Sequence, residues 1–364
     1  MTTMQPRVGL IGCGLIGTFH SRSIHGVIKR GLVDARYVAV CDRIEERAQE
    51  FARLAGATLC TTDPDALIAS PEVNTVYVCT PTAEHKALVL AAAAAGKHVF
   101  CEKPLARTLA EAQEMHDAVR AAGVRHQVGL VLRHSPIEVV LKDMIADPGL
   151  GRLMTAVFRD DQTFPILGHY RSTWRGDAAM TGGGTLIEHS IHDLDVLSWL
   201  CGDVESLRAE TRNFAGHDGV EDLANVSLNF ANGGTGQLAS VWHGIESRNT
   251  HRLLELFFER GHFAADEDFL GPIRYGTYAS NGKAELSTEQ VQQRYLELIG
   301  VPDDDTYRDA LRRYSFEDLF FLRAIAADRD AYPGFDVALR AHQLVDAVYR
   351  SAAEGGASVR PATS

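Results

Sequence analysis

No CxxC pair occurs among the six cysteines (Cys13, Cys41, Cys60, Cys79, Cys101, Cys201), so the usual frameworks of a zinc ribbon or a thioredoxin-like centre are missing. Five of the six fall in or beside expected strands or the turns that follow them. Buried free thiols in a reducing compartment are the expectation. No apolar run reaches bilayer length; the longest, LVLAAAAAG at 88–96, is too short and too rich in alanine to span one. The opening stretch MTTMQPRVGLIGCG has no basic segment followed by a long apolar one. No signal peptide is expected, and the cytoplasm is the expected compartment. Positive charge is also scarce: 36 Lys and Arg face 48 Asp and Glu, a net −12. Phosphate backbones need clustered cations, which argues against a nucleic-acid partner. Internal repeats and low-complexity linkers are absent too. What remains is 45% hydrophobic and 23% charged residues over 364 positions, the composition of a soluble globular chain long enough for two domains.

Residues 7–11, RVGLI, form a short apolar run that leads straight into Gly12-Cys13-Gly14-Leu15-Ile16-Gly17. This is G-x-G-x-x-G after an expected strand and before an expected helix, the context that a dinucleotide-binding loop requires. The first glycine permits a tight turn, the second lets a pyrophosphate approach the backbone, and the third lets helix and strand pack closely. A second strand, YVAVCD, ends in Asp42, placed to bind the adenosine ribose hydroxyls. Its charge favours NAD over NADP, while the adjacent Arg43 leaves NADP open.

The alternation continues: TVYVC (75–79) as a strand, 83–96 as a helix ending at Gly96, HVFC (98–101) as a strand, 109–123 as a helix ending at Gly123, and RHQVGLV (125–131) as a strand. Strands separated by helical patterns indicate a doubly wound parallel sheet, whose ligands bind outside the carboxyl ends of the strands. That singles out Thr80-Pro81, Glu102-Lys103-Pro104 and Arg133.

Four motifs occur in order: the glycine loop at 12–17, CTPTAEH at 79–85, CEKPLA at 101–106 and GGGTLIEHSIHDLD at 182–195. The set resembles the glucose–fructose oxidoreductase / inositol dehydrogenase / MocA family of NAD(P)-dependent oxidoreductases, from residue 7 to about 350. The resemblance implies a Rossmann domain, placed at 1–130, and a C-terminal substrate-binding and oligomerisation α+β domain with a mostly antiparallel sheet at 131–364. It implies sugars, inositols and their derivatives as substrates, and dimers or tetramers formed through the C-terminal sheet. By the same resemblance Lys103 is the catalytic lysine, and Pro104 rigidifies its loop. Oxidising a secondary alcohol requires loss of a hydroxyl proton as hydride leaves carbon, and a lysine beside the cofactor is suited to receive it. Thr80, Pro81 and His85 match the family's stretch near the cofactor, and Glu102 joins Lys103 there.

After Arg133 the pattern changes. Segments 153–161, 204–213, 224–233, 235–243 and 252–261 read as strands, with Asn232-Gly233-Gly234 a hairpin signal. The segment HYRSTWRGD (169–177) supplies Tyr170, Arg171, Trp174 and Arg175, flat faces and forked donors suited to a hydroxylated ring or an anion. In the family this segment borders cofactor and substrate. Trp242-His243, at a strand end, is a weaker pocket candidate. The polar stretch 284–309 reads as an exposed insertion or a subunit contact, and about 336–354 as a closing amphipathic helix.

The stretch 182–195 is open to three readings. A zinc site would need a histidine where Thr185 stands, and no second cluster supplies a further ligand, so no metal is expected. As a helix, LIEHSIHDLDVLSWLCG is amphipathic, with 188, 192 and 195 on a polar face. Against the family's G-G-G-x-L-x-D-x-G-x-H-x-x-D, the residues Gly182, Gly183, Gly184, Leu186, His192 and Asp195 match. His192 thereby carries over as the substrate-contacting acid/base. Glu188 stands where the family has Asp, and Ser190 where it has Gly; the longer carboxylate still reaches toward substrate or orients His192. His189 and Asp193 fall off that face and read as structural.

The expected function is oxidation of a secondary hydroxyl of a sugar, glycoside or cyclitol, or the reverse reduction, with Lys103 and His192 relaying the proton. Two rivals stand beside it. One is a redox-neutral glycosidase that oxidises C3 transiently, for which Arg171 and Arg175 suit an anionic sugar. The other is a dinucleotide-sensing regulatory protein.

Overall fold

The computed structural model describes residues 4–168, 170–278 and 282–362. The chain divides into two units, the first made of 1–131 with 305–339 and the second of 132–304 with 340–364. The sequence boundary at 130/131 had assigned the whole remainder to a second domain; 305–339 instead belongs to the first unit.

The first unit holds six parallel strands: β1 (Arg7–Ile11), β2 (Arg36–Cys41), β3 (Leu59–Thr61), β4 (Thr75–Val78), β5 (His98–Cys101) and β6 (His126–Val128). Their order, β3-β2-β1-β4-β5-β6, is a doubly wound Rossmann topology with its reversal between β1 and β4. Val76, Val78, Val99 and Cys101 are fully buried with the helix residues Val89, Met115 and Val119, which is why these strands read as unbroken apolar runs. The helix Leu109–Ala122 starts where Thr108 accepts a hydrogen bond from Glu111 N–H and stops at Gly123, φ +65°. β6 is shorter than the expected strand, because Val131–His134 turns into a short 3-10 helix. Among the cysteines, Cys60 on the edge strand β3 is exposed; the other five are buried.

The second unit carries β7 (Leu153–Thr163), β8 (Val204–Arg212), β9 (Leu223–Phe230), β10 (Thr235–His243), β11 (His251–Phe258), β12 (Gly261–Ala265), β13 (Ile273–Thr277) and β14 (Gly282–Leu286). They form one sheet ordered β14-β13-β12-β11-β7-β10-β9-β8. Every pairing is antiparallel except β7 with β10. The hairpin expected at Asn232-Gly233-Gly234 joins β9 to β10, with Gly233 at φ +87°. In β9, Ala224, Val226, Leu228 and Phe230 are buried while Asn225, Ser227 and Asn229 are exposed, the alternation of a sheet covered on one face.

The stretch 284–309 differs from its sequence reading. Ser287 and Gln290 form a capping box for the helix Thr288–Leu298, which buries Val291, Tyr295 and Leu296. Three apolar residues at i, i+4 and i+5 are enough for one helix face, and the polar majority concealed them. The closing helix runs Phe335–Ala353. Among the described residues no helix is long and apolar enough to cross a membrane.

Candidate active site

In the first unit, the glycine loop follows β1 at the point where the strand order reverses. Gly12 has φ +99°, and a Cβ on Gly17 would stand 2.0 Å from the Gly12 carbonyl oxygen, so neither position accepts a side chain. Around Gly14 a Cβ would meet nothing within 4 Å. That open cradle faces the first turn of the helix Leu15–Lys29, which begins with half-buried Leu15 and Ile16 and has no side-chain cap on its N–H groups. Uncapped N–H groups and the positive end of the helix dipole suit a pyrophosphate. Asp42 directly follows β2 and is buried, its two carboxylate oxygens accepting from Cys13 N–H and Ile44 N–H, each at 2.8 Å. Arg43 beside it is exposed. At the end of β4, Thr80 Oγ1 is buried without a hydrogen-bond partner among the described residues, and Pro81 opens the next helix. An open cradle and an orphaned hydroxyl fit a dinucleotide.

The loop after β5 carries Glu102, Lys103 and Pro104, and it is braced from below. Glu102 Oε2 accepts from the Lys103 N–H at 3.1 Å, and Oε1 lies 2.8 Å from His20 Nε2. His20 Nδ1 lies 2.8 Å from Asp318 Oδ1. Burial works to raise the Glu102 pKa, but His20, with help from Lys103, brings it below the ordinary carboxyl value. His85 ties the loop to β4: its ring nitrogens lie 3.0 Å and 2.9 Å from the carbonyl oxygens of Pro104 and Thr80.

In the second unit the three glycines are explained by Glu221. A Cβ on Gly184 would lie 1.8 Å from the Glu221 backbone oxygen. The Glu221 carboxylate accepts from Gly184 N–H (2.8 Å) and Leu186 N–H (2.9 Å), capping the helix that follows. That helix opens with a π-helical turn, Leu186–Ser190, before the α-helix Ile191–Cys201. π-turns are rare and concentrate at functional sites. Glu188 and His192 lie one turn apart, both buried. Glu188 Oε2 is 3.2 Å from Arg175 Nε, and the Arg175 guanidinium stacks 4.3 Å from the Trp174 ring and 6.0 Å from the Tyr170 ring.

The comparisons with known proteins agree across both units. The model of an oxidoreductase family with an NAD-binding Rossmann fold matches residues 6–130, and that of the GFO/IDH/MocA C-terminal domain matches 139–264. The chain belongs to the GFO/IDH/MocA oxidoreductase family. It is 30% identical over 317 residues to the myo-inositol 2-dehydrogenase of Thermotoga maritima, covering 85% of this chain and 86% of that one. It is 28% identical over 281 residues to the levoglucosan dehydrogenase of Pseudarthrobacter phenanthrenivorans, covering 70% and 72%. A solved levoglucosan dehydrogenase in complex with NADH and levoglucosan superposes with a TM-score of 0.84 at 23% identity, over 99% of this chain and 100% of that one. At that identity the likeness speaks to the fold.

Within this NAD-binding oxidoreductase, the structure gathers Tyr170, Trp174, Arg175 and Glu188 together, and leaves Arg171 exposed at φ +44°. The segment's first residue, His169, lies outside the described residues. Several of the candidate residues have partners of their own within the fold. Arg133 makes a two-point ion pair with buried Asp195, both contacts at 2.7 Å, and stacks on Trp199. Trp242 packs with Phe164 and Val220 in a small core cluster. His243 sits beside Asp161 at 3.5 Å. His85 and Glu102 brace the lysine loop from inside. Among the described residues no group of three or more His, Cys, Asp or Glu is placed to hold a metal ion.

Sequence reasoning missed the polar layer beneath the helix. The helix 191–201 is not amphipathic: Asp193 and Asp195 are as buried as Leu194 and Leu197. Asp195 pairs with Arg133, and Asp193 meets polar residues of the sheet. Arg252 on β11 lies opposite Asp160 on β7 and bonds Asp160 (2.9 Å), Asp193 (3.1 Å) and Asp268. His189 Nε2 adds a contact of 2.8 Å to Asp160. Ser240 Oγ meets Thr185 Oγ1 (2.8 Å) and Ser190 Oγ (2.6 Å). Burial pushes the Asp193 carboxyl up to about 7, against the pull of Arg252. An Arg nine residues after His243 carries no sequence signal pointing to Asp160; only the β7–β11 register supplies it.

Glu138 lies at the edge of this layer, buried, with Oε2 lacking a hydrogen-bond partner among the described residues. Desolvation raises its pKa to about 8. The folded state therefore holds a proton that the unfolded state has released between about pH 4.5 and pH 8, and stability falls as pH rises through that window. Glu138→Gln is expected to remove this slope and to exceed the parent's Tm by a margin that grows from pH 5 to pH 8. Calorimetry at the two values checks it, and equal margins at both would refute the assignment.

Proposed function

We propose that this oxidoreductase oxidises a secondary hydroxyl of a sugar, glycoside or cyclitol, or reduces the corresponding ketone, with NAD as cofactor. The observation that carries the reading is the braced loop after β5, which sets Lys103 at the carboxyl end of a Rossmann sheet whose glycine loop opens to a dinucleotide. Bound there, NAD+ supplies the hydride acceptor. Lys103 takes the hydroxyl proton as the alcohol is oxidised and returns it in reduction. His192 contacts the substrate oxygen as the second proton-handling group. Glu188, neutralised by Arg175, fixes the Trp174 and Arg175 surface against which the ring rests, so that positioning supplies much of the rate. The named activities of the inositol and levoglucosan relatives support polyhydroxylated rings as the substrate class. Asp42 supports NAD, because its carboxylate would repel a 2′-phosphate.

A panel including myo-inositol and levoglucosan, followed at 340 nm with NAD+ and NADP+ side by side, tests the reading. NADH accumulating in step with ketone is the expected result. Product formed with catalytic NAD and no accumulation of NADH would assign the redox-neutral glycosidase instead. No turnover across the panel would return the protein to a dinucleotide sensor.

A further inference from the structure

The reading above uses Lys103 but leaves unexplained why a histidine is buried behind it between two carboxylates. His20, on the helix Leu15–Lys29, is 3% exposed, and both of its ring nitrogens are engaged at 2.8 Å. On one side stands Asp318, from the helix Glu317–Ala326; on the other stands Glu102, whose second oxygen holds the Lys103 N–H. Three separate segments of the first unit thus meet in one chain of contacts, Asp318–His20–Glu102–Lys103. A neutral imidazole has a single N–H and cannot donate to two carboxylates; an imidazolium can. The ring is also held edge-on, with Phe100 4.8 Å and Tyr77 5.8 Å away, centroid to centroid.

We propose that the Asp318–His20–Glu102 chain is a positioning relay that fixes the charge and orientation of Glu102 behind Lys103 and thereby sets the acid–base poise of the lysine.

The electrostatics of the surroundings support it. The ionisable groups that face the chain are Tyr77 and Cys79 on and after β4, Cys101 on β5 and Glu317 beside Asp318. Burial pushes Cys79 up to about 12, and Tyr77, Cys101 and Glu317 well above their ordinary values, so burial works against a negative charge on each of the four. Burial opposes charge on His20, but Asp318 and Glu102 overcome it and hold the ring protonated well above its ordinary range. Behind Lys103 the chain of contacts itself is made of Glu102, His20 and Asp318. An anion at Glu102 favours the ammonium form of Lys103. Bound NAD+ pulls the other way, because its nicotinamide carries positive charge. Glu102 is therefore the counterweight that keeps the lysine able to give a proton back as well as to take one. Without the cation at His20, a buried Glu102 would take up a proton itself and the counterweight would vanish.

The inference rests on Lys103 as the proton-handling lysine, so its test uses no substrate. Competitive acetylation of the full-length protein with acetic anhydride, quantified on the Lys103 peptide by mass spectrometry from pH 6 to pH 10, reports the fraction of neutral amine. Glu102→Gln and His20→Gln are each expected to raise the Lys103 labelling rate at pH 7.5 about tenfold, the consequence of one pKa unit. The double variant is expected to match Glu102→Gln alone, because His20 acts through Glu102. Should His20→Gln fail to fold, Asp318→Asn weakens the same imidazolium and is expected to move labelling in the same direction. A purely structural role would lower Tm and leave the labelling profile within twofold of the parent, and that result in folded variants would overturn the proposal. Turnover of Lys103→Ala tests the underlying reading separately, so failure of one does not imply failure of the other.

Discussion

Lys103→Ala is expected to bind NADH within a few-fold of the parent while its turnover falls about 10²- to 10⁴-fold, the range for loss of a positioned proton-transfer group. The substitution removes the side chain beyond Cβ and leaves the loop backbone in place. Glu102 holds the loop through the backbone N–H of residue 103, and His85 holds it through the Pro104 carbonyl, and an alanine keeps both contacts. The proposed cofactor cradle lies elsewhere, at Gly12, Gly14, Gly17 and Asp42. Binding and chemistry therefore separate in this variant. A fluorescence titration with NADH, set beside steady-state rates on the best member of the sugar panel, reads both. Near-parental turnover would remove Lys103 from the mechanism; loss of NADH binding would show that the loop shapes the cofactor site.

The second large effect concerns stability. Arg252→Met is expected to cost about 3–5 kcal/mol at pH 8, the usual penalty for deleting one partner of a buried ion pair. Arg252 is 7% exposed and neutralises Asp160 and Asp193, both fully buried, together with Asp268. Methionine fills much of the space but leaves two carboxylates in the layer between helix and sheet. The loss is expected to shrink toward pH 5. Asp193, already raised to about 7 by burial with Arg252 present, rises further without it, and so does Asp160. The folded variant then binds protons that the unfolded chain releases above about pH 4, so stability falls as pH rises through that window. Urea unfolding at pH 5 and pH 8 checks both the size and the sign. A loss below about 1 kcal/mol at pH 8 would mean that Arg252 contributes little beyond packing.

Much of the first unit could be read from the chain because its signals are local. β1 with its glycine loop, β5, and the helix ending at Gly123 each depend on residues adjacent in sequence. A turn needs its glycine, and a parallel strand buried on both faces needs a run of Val, Ile and Leu. The positions of the glycine loop, Asp42 and the EKP loop just after strands followed from the same logic. Less could be read where partners are distant. Nothing local marks His20, because Glu102 and Asp318 lie 82 and 298 positions away. Arg133 looked like a free cation because Asp195 is 62 positions away.

The stretch GGGTLIEHSIHDLD marks the division most clearly. By itself the sequence determined that 182–195 enters a helix through glycines and presents His192 and Glu188 one turn apart, because these features depend on local backbone and side-chain period. Only the tertiary structure decided that the third glycine makes room for the Glu221 backbone, that a π-turn opens the helix, and that Asp193 faces a polar sheet rather than water. A carboxylate's solvation depends on what packs against it. The cation that meets Asp193 is contributed by β11, 59 residues later in the chain.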